Sequence, residues 1–312
     1  MKSHYQEQRQ KTTLMRLQAC HNILSIFKPF CSIGSRPPGS ILLFIALCIT
    51  PFEFFAQNEN DLVEDNIIQV PADPELVWDM SFAFKTMNVF RGLLPSRAPT
   101  FSTQAGIAYN RFILGFYGGA SFNGVYTETD LIAMYYRPKW DVHLEWYYNF
   151  TEGITNIPAP SGFFDFNPET TRGLLDLIFH LRPSEGWLIS SSTFLYGRDR
   201  PSLPEDDASG IPLRRGDQRY TQYLEVAYNW KRGKNKLQVH IGGSFSWNDP
   251  SGPTFYGDRP GLNNMGVSFS RTLLRSESIT LPIKATAYLN AVTNNIYLVA
   301  TIQIIEISRL LQ

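Results

Sequence analysis

His143 stands between two carboxylates, with Asp141 two residues before it and Glu145 two residues after it. In an extended chain, side chains two apart share a face and sit roughly 6–7 Å apart along the strand. Both acids could therefore orient one imidazole. A histidine held by a carboxylate is how hydrolases activate a water or a serine. Ser190, Ser192 and Ser244 are available, but none lies in a recognisable nucleophile context. His143, His180 and His240 would make a metal site only if three separate segments brought them to one height. Against both readings stands a plainer one, a histidine solvated in a polar channel. The sequence therefore predicts no catalytic residue, no metal ligand and no cofactor.

What these residues can do depends on the elements that carry them. From Trp140 to Phe150, Trp140, Val142, Leu144, Trp146, Tyr148 and Phe150 share one face, while Asp141, His143, Glu145, Tyr147 and Asn149 share the other. Strict period two marks a strand whose faces meet opposite environments. Wound as a helix, the same residues would scatter charge and indole all round the cylinder. Leu237 to Trp247 repeats the pattern, with Gln238, His240, Ser244 and Ser246 on the polar side. Leu76, Trp78, Met80, Phe82 and Phe84 alternate with Asp79, Ser81 and Lys85, and Ile296, Leu298, Ala300, Ile302 and Ile304 form the last apolar face. Twelve such segments are predicted, at about 76–90, 100–109, 112–123, 126–137, 140–150, 171–182, 187–197, 219–231, 236–247, 262–273, 278–289 and 295–304.

The connections sort by length. Short polar turns fall at Asn110-Arg111, Pro138-Lys139, Pro183 to Gly186, Arg232 to Asn235 and Arg275 to Glu277. Between them lie longer Pro/Gly/Asp-rich stretches at Arg91 to Pro99, Thr151 to Thr170, Arg198 to Gln218 and Asn248 to Gly261. Tight turns on one side and long loops on the other are the habit of a barrel in an outer membrane. A soluble β-sandwich would put its tryptophans in a core and has no reason to sort loops by parity. The fold class expected is all-β: a transmembrane, antiparallel, up-and-down β-barrel of about twelve strands, with both ends periplasmic. Trp140, Trp187, Trp230 and Trp247, close to turns, fit the aromatic girdles of such a barrel.

The ends and the charge agree with this. Ile41 to Ala56 is an apolar run of about sixteen residues behind a basic stretch, the layout of a cleaved secretory signal. A membrane helix needs about 20 apolar residues, more than this Pro51-containing run supplies. Met15 is an alternative start, since the basic region is long for a signal. Cys20, Cys31 and Cys48 all lie in this leader, so the mature chain has no disulfide and no cysteine-based zinc site. Leu47 before Cys48 argues against a lipid anchor. The leader carries six Lys/Arg against Glu7 and Glu53, so of 28 basic and 28 acidic residues the remainder holds 22 and 26, a net of about −4. No basic patch calls for nucleic acid. The organisation expected is a signal (1–56), a periplasmic extension (57–75), the barrel (76–304) and a periplasmic tail (305–312).

Several short stretches resemble an uncharacterised family of bacterial outer-membrane barrels, the Gcw-type conserved hypothetical proteins. They are Asn88-Val89-Phe90-Arg91-Gly92-Leu93 with Ala98-Pro99 and Gln104; Tyr126-Thr127-Glu128-Thr129-Asp130; Tyr220 to Tyr228; and Leu289-Asn290 followed by Asn295 to Ala300. Ala291 and Thr301 depart from the family pattern, where Pro and Gly would be expected. A more distant likeness is to twelve-stranded nucleoside-channel barrels. The resemblance implies the barrel and brings no activity with it.

Alternation then assigns the lumen. Asp79, Lys85, Glu128, Asp130, Asp141, His143, Glu145, Asp176, His180, Glu225, His240 and Lys284, with Arg182, should project inward. Rings of charge in a pore select solutes, and this acidic excess would favour cations or neutral polar molecules; equally, the charges could pair and merely solvate the interior. Tyr109, Tyr117, Tyr135, Tyr136, Tyr147 and Tyr223 could stack a ligand or simply mark the interfaces. The acidic cluster Glu205, Asp206 and Asp207 reads as a solvated outer loop. The function expected is a passive channel or transporter for small polar solutes, in the outer membrane of a Gram-negative cell. The alternatives are a non-conducting barrel that anchors or assembles a surface or secretion complex, and an outer-membrane hydrolase. The partners expected are outer-membrane lipid and lipopolysaccharide, and the barrel-assembly machinery during insertion.

Overall fold

Twelve strands hydrogen-bond into one closed ring in the computed structural model, which describes residues 76–150, 162–203, 214–275 and 280–306. All of these belong to one contact unit, Asn58–Gln312. The expected signal (1–56), the extension (57–75) and residues 307–312 lie outside the described residues, as do 151–161, 204–213 and 276–279.

In chain order the strands are β1 (Leu76–Lys85), β2 (Asn88–Phe90), β3 (Leu93–Ser96), β4 (Thr100–Tyr109), β5 (Phe112–Ser121), β6 (Thr127–Arg137), β7 (Trp140–Asn149), β8 (Gly173–Leu181), β9 (Trp187–Gly197), β10 (Ser202–Leu203), β11 (Arg214–Arg215), β12 (Thr221–Arg232), β13 (Asn235–Ser246), β14 (Gly261–Arg275), β15 (Thr280–Asn290) and β16 (Asn295–Glu306). The ring runs β1-β16-β15-β14-β13-β12-β9-β8-β7-β6-β5-β4, antiparallel throughout. β1 closes it, pairing with β4 on one side and β16 on the other. The hairpins β2–β3 and β10–β11 form separate two-stranded sheets that do not pair with the ring.

Most strand limits fall within two residues of expectation, and two departures bear on the fold. The first ring strand ends at Lys85 rather than residue 90, because residues 88–90 turn into the separate β2–β3 hairpin. The last strand continues past residue 304, with Ile305 paired to Phe82 and Glu306 to Ser81.

Why this sequence closes is visible in its two faces. Leu114, Leu144, Leu177, Val226, Ile241, Phe269 and Leu298 are exposed on the outside. The residues alternating with them, among them Ser102, Asp141, Asp176, Ser192, Ser268 and Thr286, are buried inside. Apolar surface costs roughly 25 cal/mol per Å² in water, so this exterior suits hydrocarbon, where closure gives every strand two neighbours and no unpaired edge. At the short-turn end, rings outside the wall touch in series. Phe112, Tyr135, Trp140 and Phe179 follow one another with centroids 4.9, 5.7 and 6.2 Å apart, and Trp187, Tyr228 and Trp230 continue the girdle at 5.0 and 5.6 Å.

Trp146 and Tyr148 are two large aromatic side chains of the outer wall that are nonetheless buried. The segment that precedes β8 lies over them: the Trp146 indole N–H donates to the Phe163 carbonyl at 3.2 Å and stacks near Phe166 at 5.1 Å, and Tyr148 meets Phe163 at 5.4 Å. Gly173 makes the space, since a Cβ there would stand 1.9 Å from the Trp146 ring.

Candidate functional site

The connection from β1 to β4 does not project beyond the barrel but turns into it. Phe90 pairs with Leu93, leaving Arg91-Gly92 as a two-residue turn with φ of 47° and 81°. Positive φ at both central positions is the type I′ turn that suits a tight hairpin. Glycine takes the second position without cost; a Cβ at Gly92 would also lie 1.7 Å from the Asn263 carbonyl oxygen. An arginine at the first position is uncommon there and is held by its surroundings.

Those surroundings lie on the far wall. Counting round the ring from β1, β9 is the seventh of twelve strands, so the hairpin rooted at β1 and β4 crosses the lumen to reach β8 and β9. Arg91 Nη1 donates to Asp176 Oδ2 at 2.9 Å, to Ser192 Oγ at 2.6 Å and to the Tyr256 hydroxyl at 2.9 Å. Its guanidinium also lies over the rings of Phe90, at 4.8 Å, and Tyr223, at 5.2 Å. The turn backbone is bound too: the side-chain amides of Asn263 and Asn290 donate to the carbonyls of Arg91 and Gly92 at 2.7 and 3.0 Å.

A second connection, between β13 and β14, supplies Phe255 and Tyr256 from the same end. Tyr256 stacks on Phe194 at 5.7 Å and meets Tyr223 at 5.5 Å, and Tyr147 and Leu174 complete a buried apolar cluster inside the barrel. Phe90 and Leu93 pack against it. The long-loop half of the lumen is thus filled by two inward segments that carry one cation to a buried carboxylate.

Polar side chains line the walls around this plug. Glu128 accepts from Asn149 at 2.9 Å and from the Tyr126 hydroxyl at 3.1 Å, and faces Arg198 at 3.9 Å. Glu225 accepts from Asn264 at 2.8 Å and from the Tyr223 hydroxyl. Asp130 is buried with Oδ1 unpartnered. Lys85 points toward the Tyr117 ring at 6.0 Å, His240 lies 5.7 Å from Tyr288, and Lys284 pairs across the sheet with Ser270 and Thr301. At the root of the β9–β12 connection, burial pushes the Asp199 carboxyl up, opposed by the Thr221 amide and hydroxyl at 2.7 and 2.9 Å.

Nearer the short turns sits a second cluster. Asp141 Oδ1 accepts from His143 Nε2 at 2.6 Å and from His180 Nδ1 at 2.8 Å, while Asp141 Oδ2 meets Arg182 at 2.5 Å. His143 Nδ1 reaches Glu145 Oε1 at 2.9 Å, and Glu145 Oε2 accepts from Tyr147 at 2.7 Å. Both ring nitrogens of His143 face carboxylates, so neither is left to activate a serine or a water.

Glu128, Asp130, Asp141, His143, Glu145, Asp176, His180, Arg182, Glu225 and His240 sit on the face of the wall opposite its exposed apolar side chains, and Lys85 and Lys284 lie at positions of the same parity on β1 and β15. Asp79 occupies the same face of β1, opposite Gly106, and its side chain lies outside the described residues. His143 and His180 come together, whereas His240 stands on β13 in another part of the wall. Of the tyrosines, Tyr117, Tyr147 and Tyr223 face inward, while Tyr109 and Tyr135 belong to the outer surface. Reading the sequence missed Arg91, Tyr256, Asn263 and Asn290. The one signal is Arg91-Gly92 between apolar neighbours, a hairpin turn inside a stretch whose composition is that of an outer loop.

No protein-family model matches the chain, and neither does any curated protein sequence. The resemblance carried by its short motifs stands only at the level of the barrel. Among solved structures, the chain is similar to one from a study of the in-meso crystallization of membrane proteins, with 8% identity, 73% of this chain and 82% of the other covered, and a TM-score of 0.37. It is similar also to an outer membrane channel from Pseudomonas putida F1, with 12% identity, coverage of 77% and 98%, and a TM-score of 0.34. A third, from work on the asymmetric conductivity of engineered proteins, has 6% identity, coverage of 74% and 99%, and a TM-score of 0.29. The barrel itself rests on its strand pairing.

Proposed function

We propose that this barrel stands in the outer membrane of a Gram-negative cell, with its short turns and both ends in the periplasm, and serves as a gated channel for small polar solutes. The β1–β4 hairpin is the gate. The observation that carries this reading is the way the hairpin is held: by one guanidinium, two asparagine amides and ring contacts, all of them local and reversible, inside a wall of charged and hydroxyl side chains. Moving a hairpin of this size needs no strand of the ring to break. Acidic groups at Glu128, Asp130 and Glu145 favour cations and neutral polar molecules over anions. Lipopolysaccharide would surround the long-loop end, and the barrel-assembly machinery would insert the chain.

A second reading is favoured by the same plug: a barrel kept closed that anchors a surface or secretion complex through its loops. Single-channel recording of purified, refolded protein in a planar bilayer separates the two. Conductance steps in the wild-type protein, larger or more frequent in Arg91→Ala, support the gated channel. Silence in both proteins at every voltage sinks it in favour of the closed barrel.

A further inference from the structure

We propose that Asp141, His143 and His180 form a binding site for one divalent first-row transition-metal ion at the short-turn end of the lumen. Asp141 pairs directly with His180 across β7 and β8, and His143 follows two residues later on the same inward face. One ligand atom from each lies within 4.8 Å of the other two. Two imidazoles and a carboxylate, with a further position open to water, make a ligand set suited to zinc and to its neighbours in the series. Around a tetrahedral ion bonded at about 2.0–2.1 Å, ligand atoms stand about 3.3 Å apart. The 2.6 and 2.8 Å contacts to Asp141 Oδ1 would therefore open by roughly half an ångström as an ion replaced the shared protons.

Behind His143 and Asp141 stand groups of the kind a metal site requires. A metal-binding imidazole nearly always gives its other ring nitrogen to a carboxylate or carbonyl, which fixes its tautomer and orientation. Glu145 does this for His143 at 2.9 Å and is itself held by Tyr147. Asp141 keeps Oδ1 toward the histidines because Arg182 occupies Oδ2, the arrangement of a monodentate carboxylate ligand. Asp141 is 1% exposed, so its charge is poorly hydrated, and the more open His180 side chain, 24% exposed, marks the way in. None of this depends on whether the barrel conducts.

The test is a zinc titration of the refolded protein without a polyhistidine tag, by calorimetry and by metal content after dialysis. One zinc per chain is expected, bound at least tenfold more weakly by His180→Gln, roughly tenfold more weakly by Glu145→Gln, and unchanged in His240→Gln. X-ray absorption of the zinc-loaded protein should show two imidazole ligands. No stoichiometric zinc, a coordination sphere without imidazole, or equal affinity in His180→Gln would overturn the proposal. Should His180→Gln fail to fold, judged by loss of the heat-dependent gel shift of the intact barrel, carbethoxylation of His143 and His180 in the native chain replaces it. Protection by zinc supports the site, and undiminished modification overturns it.

Discussion

Arg91 and Asp176 are 85 positions apart in the chain and 2.9 Å apart in the lumen, joining a turn rooted at β1 to the wall opposite. Asp176 is fully buried, so removing Arg91 leaves a charged carboxylate without its cation or hydration, held by the Ser192 and Tyr147 hydroxyls at 2.6 and 3.1 Å. Breaking a buried pair in this way costs about 3 kcal/mol or more, which at about 1.4 kcal/mol per tenfold moves the hairpin's equilibrium by about two orders of magnitude toward release. Arg91→Ala should raise single-channel open probability and expose the 86–99 segment to protease in intact barrels. In a double-mutant cycle, Arg91→Ala with Asp176→Ala should do less than the sum of the two changes. Additive effects would show that the pair does not hold the gate.

Gly92 tests the proposed gate through the backbone. A valine there meets both the positive φ of 81° and the Asn263 carbonyl, neither of which a side chain can accommodate. Gly92→Val should release the hairpin as Arg91→Ala does while leaving the ring folded, read as an unchanged heat-dependent gel shift beside increased conductance. A wild-type conductance trace from this variant would overturn the proposal that release of the seated turn opens the barrel.

Asp141 holds two histidines and an arginine on one buried carboxylate. Asp141→Ala should destabilise the barrel by about 3 kcal/mol, measured by urea unfolding in lipid with tryptophan fluorescence. Ser190→Ala, on the same inward face but in no such network, should stay within about 0.5 kcal/mol of the native protein. Equal midpoints for the two variants would contradict the ionic cluster.

The outer face predicts a dependence on depth. Val226 lies mid-strand on β12 and Trp230 near its short-turn end, both exposed. Arginine at the centre of a lipid-facing strand costs about 2–4 kcal/mol and near the interface about 0–1. Val226→Arg should therefore unfold at lower urea than Trp230→Arg in the same vesicles. A reversed order would place the hydrocarbon elsewhere on this wall.

Gly173 leaves room for the Trp146 ring on the outside of the barrel. Gly173→Val should displace that indole and free the segment 162–170, seen as a shift in tryptophan emission and faster proteolysis around Phe164, which is already 71% exposed. Unaltered emission would show that Trp146 does not pack there.

The sequence alone determined the wall. Trp140 to Phe150 has one apolar and one polar face whatever it pairs with, because side chains in a strand alternate. That alternation, repeated twelve times between sorted connections, led to the closed ring. It could not say what lies inside. Arg91 reads as part of a polar outer loop because nothing within residues 86–99 records the opposite wall; its partners Asp176, Ser192 and Tyr256 come from β8, β9 and the β13–β14 connection. Likewise, alternation put His143 and His180 on one face but left their heights open, and the β7–β8 register set them on a common carboxylate. Periodicity is a property of neighbours in the chain, and so the sequence carries it in full. Register and the inward turn of a hairpin depend on residues that meet only after the barrel has closed, and those the tertiary structure alone decided.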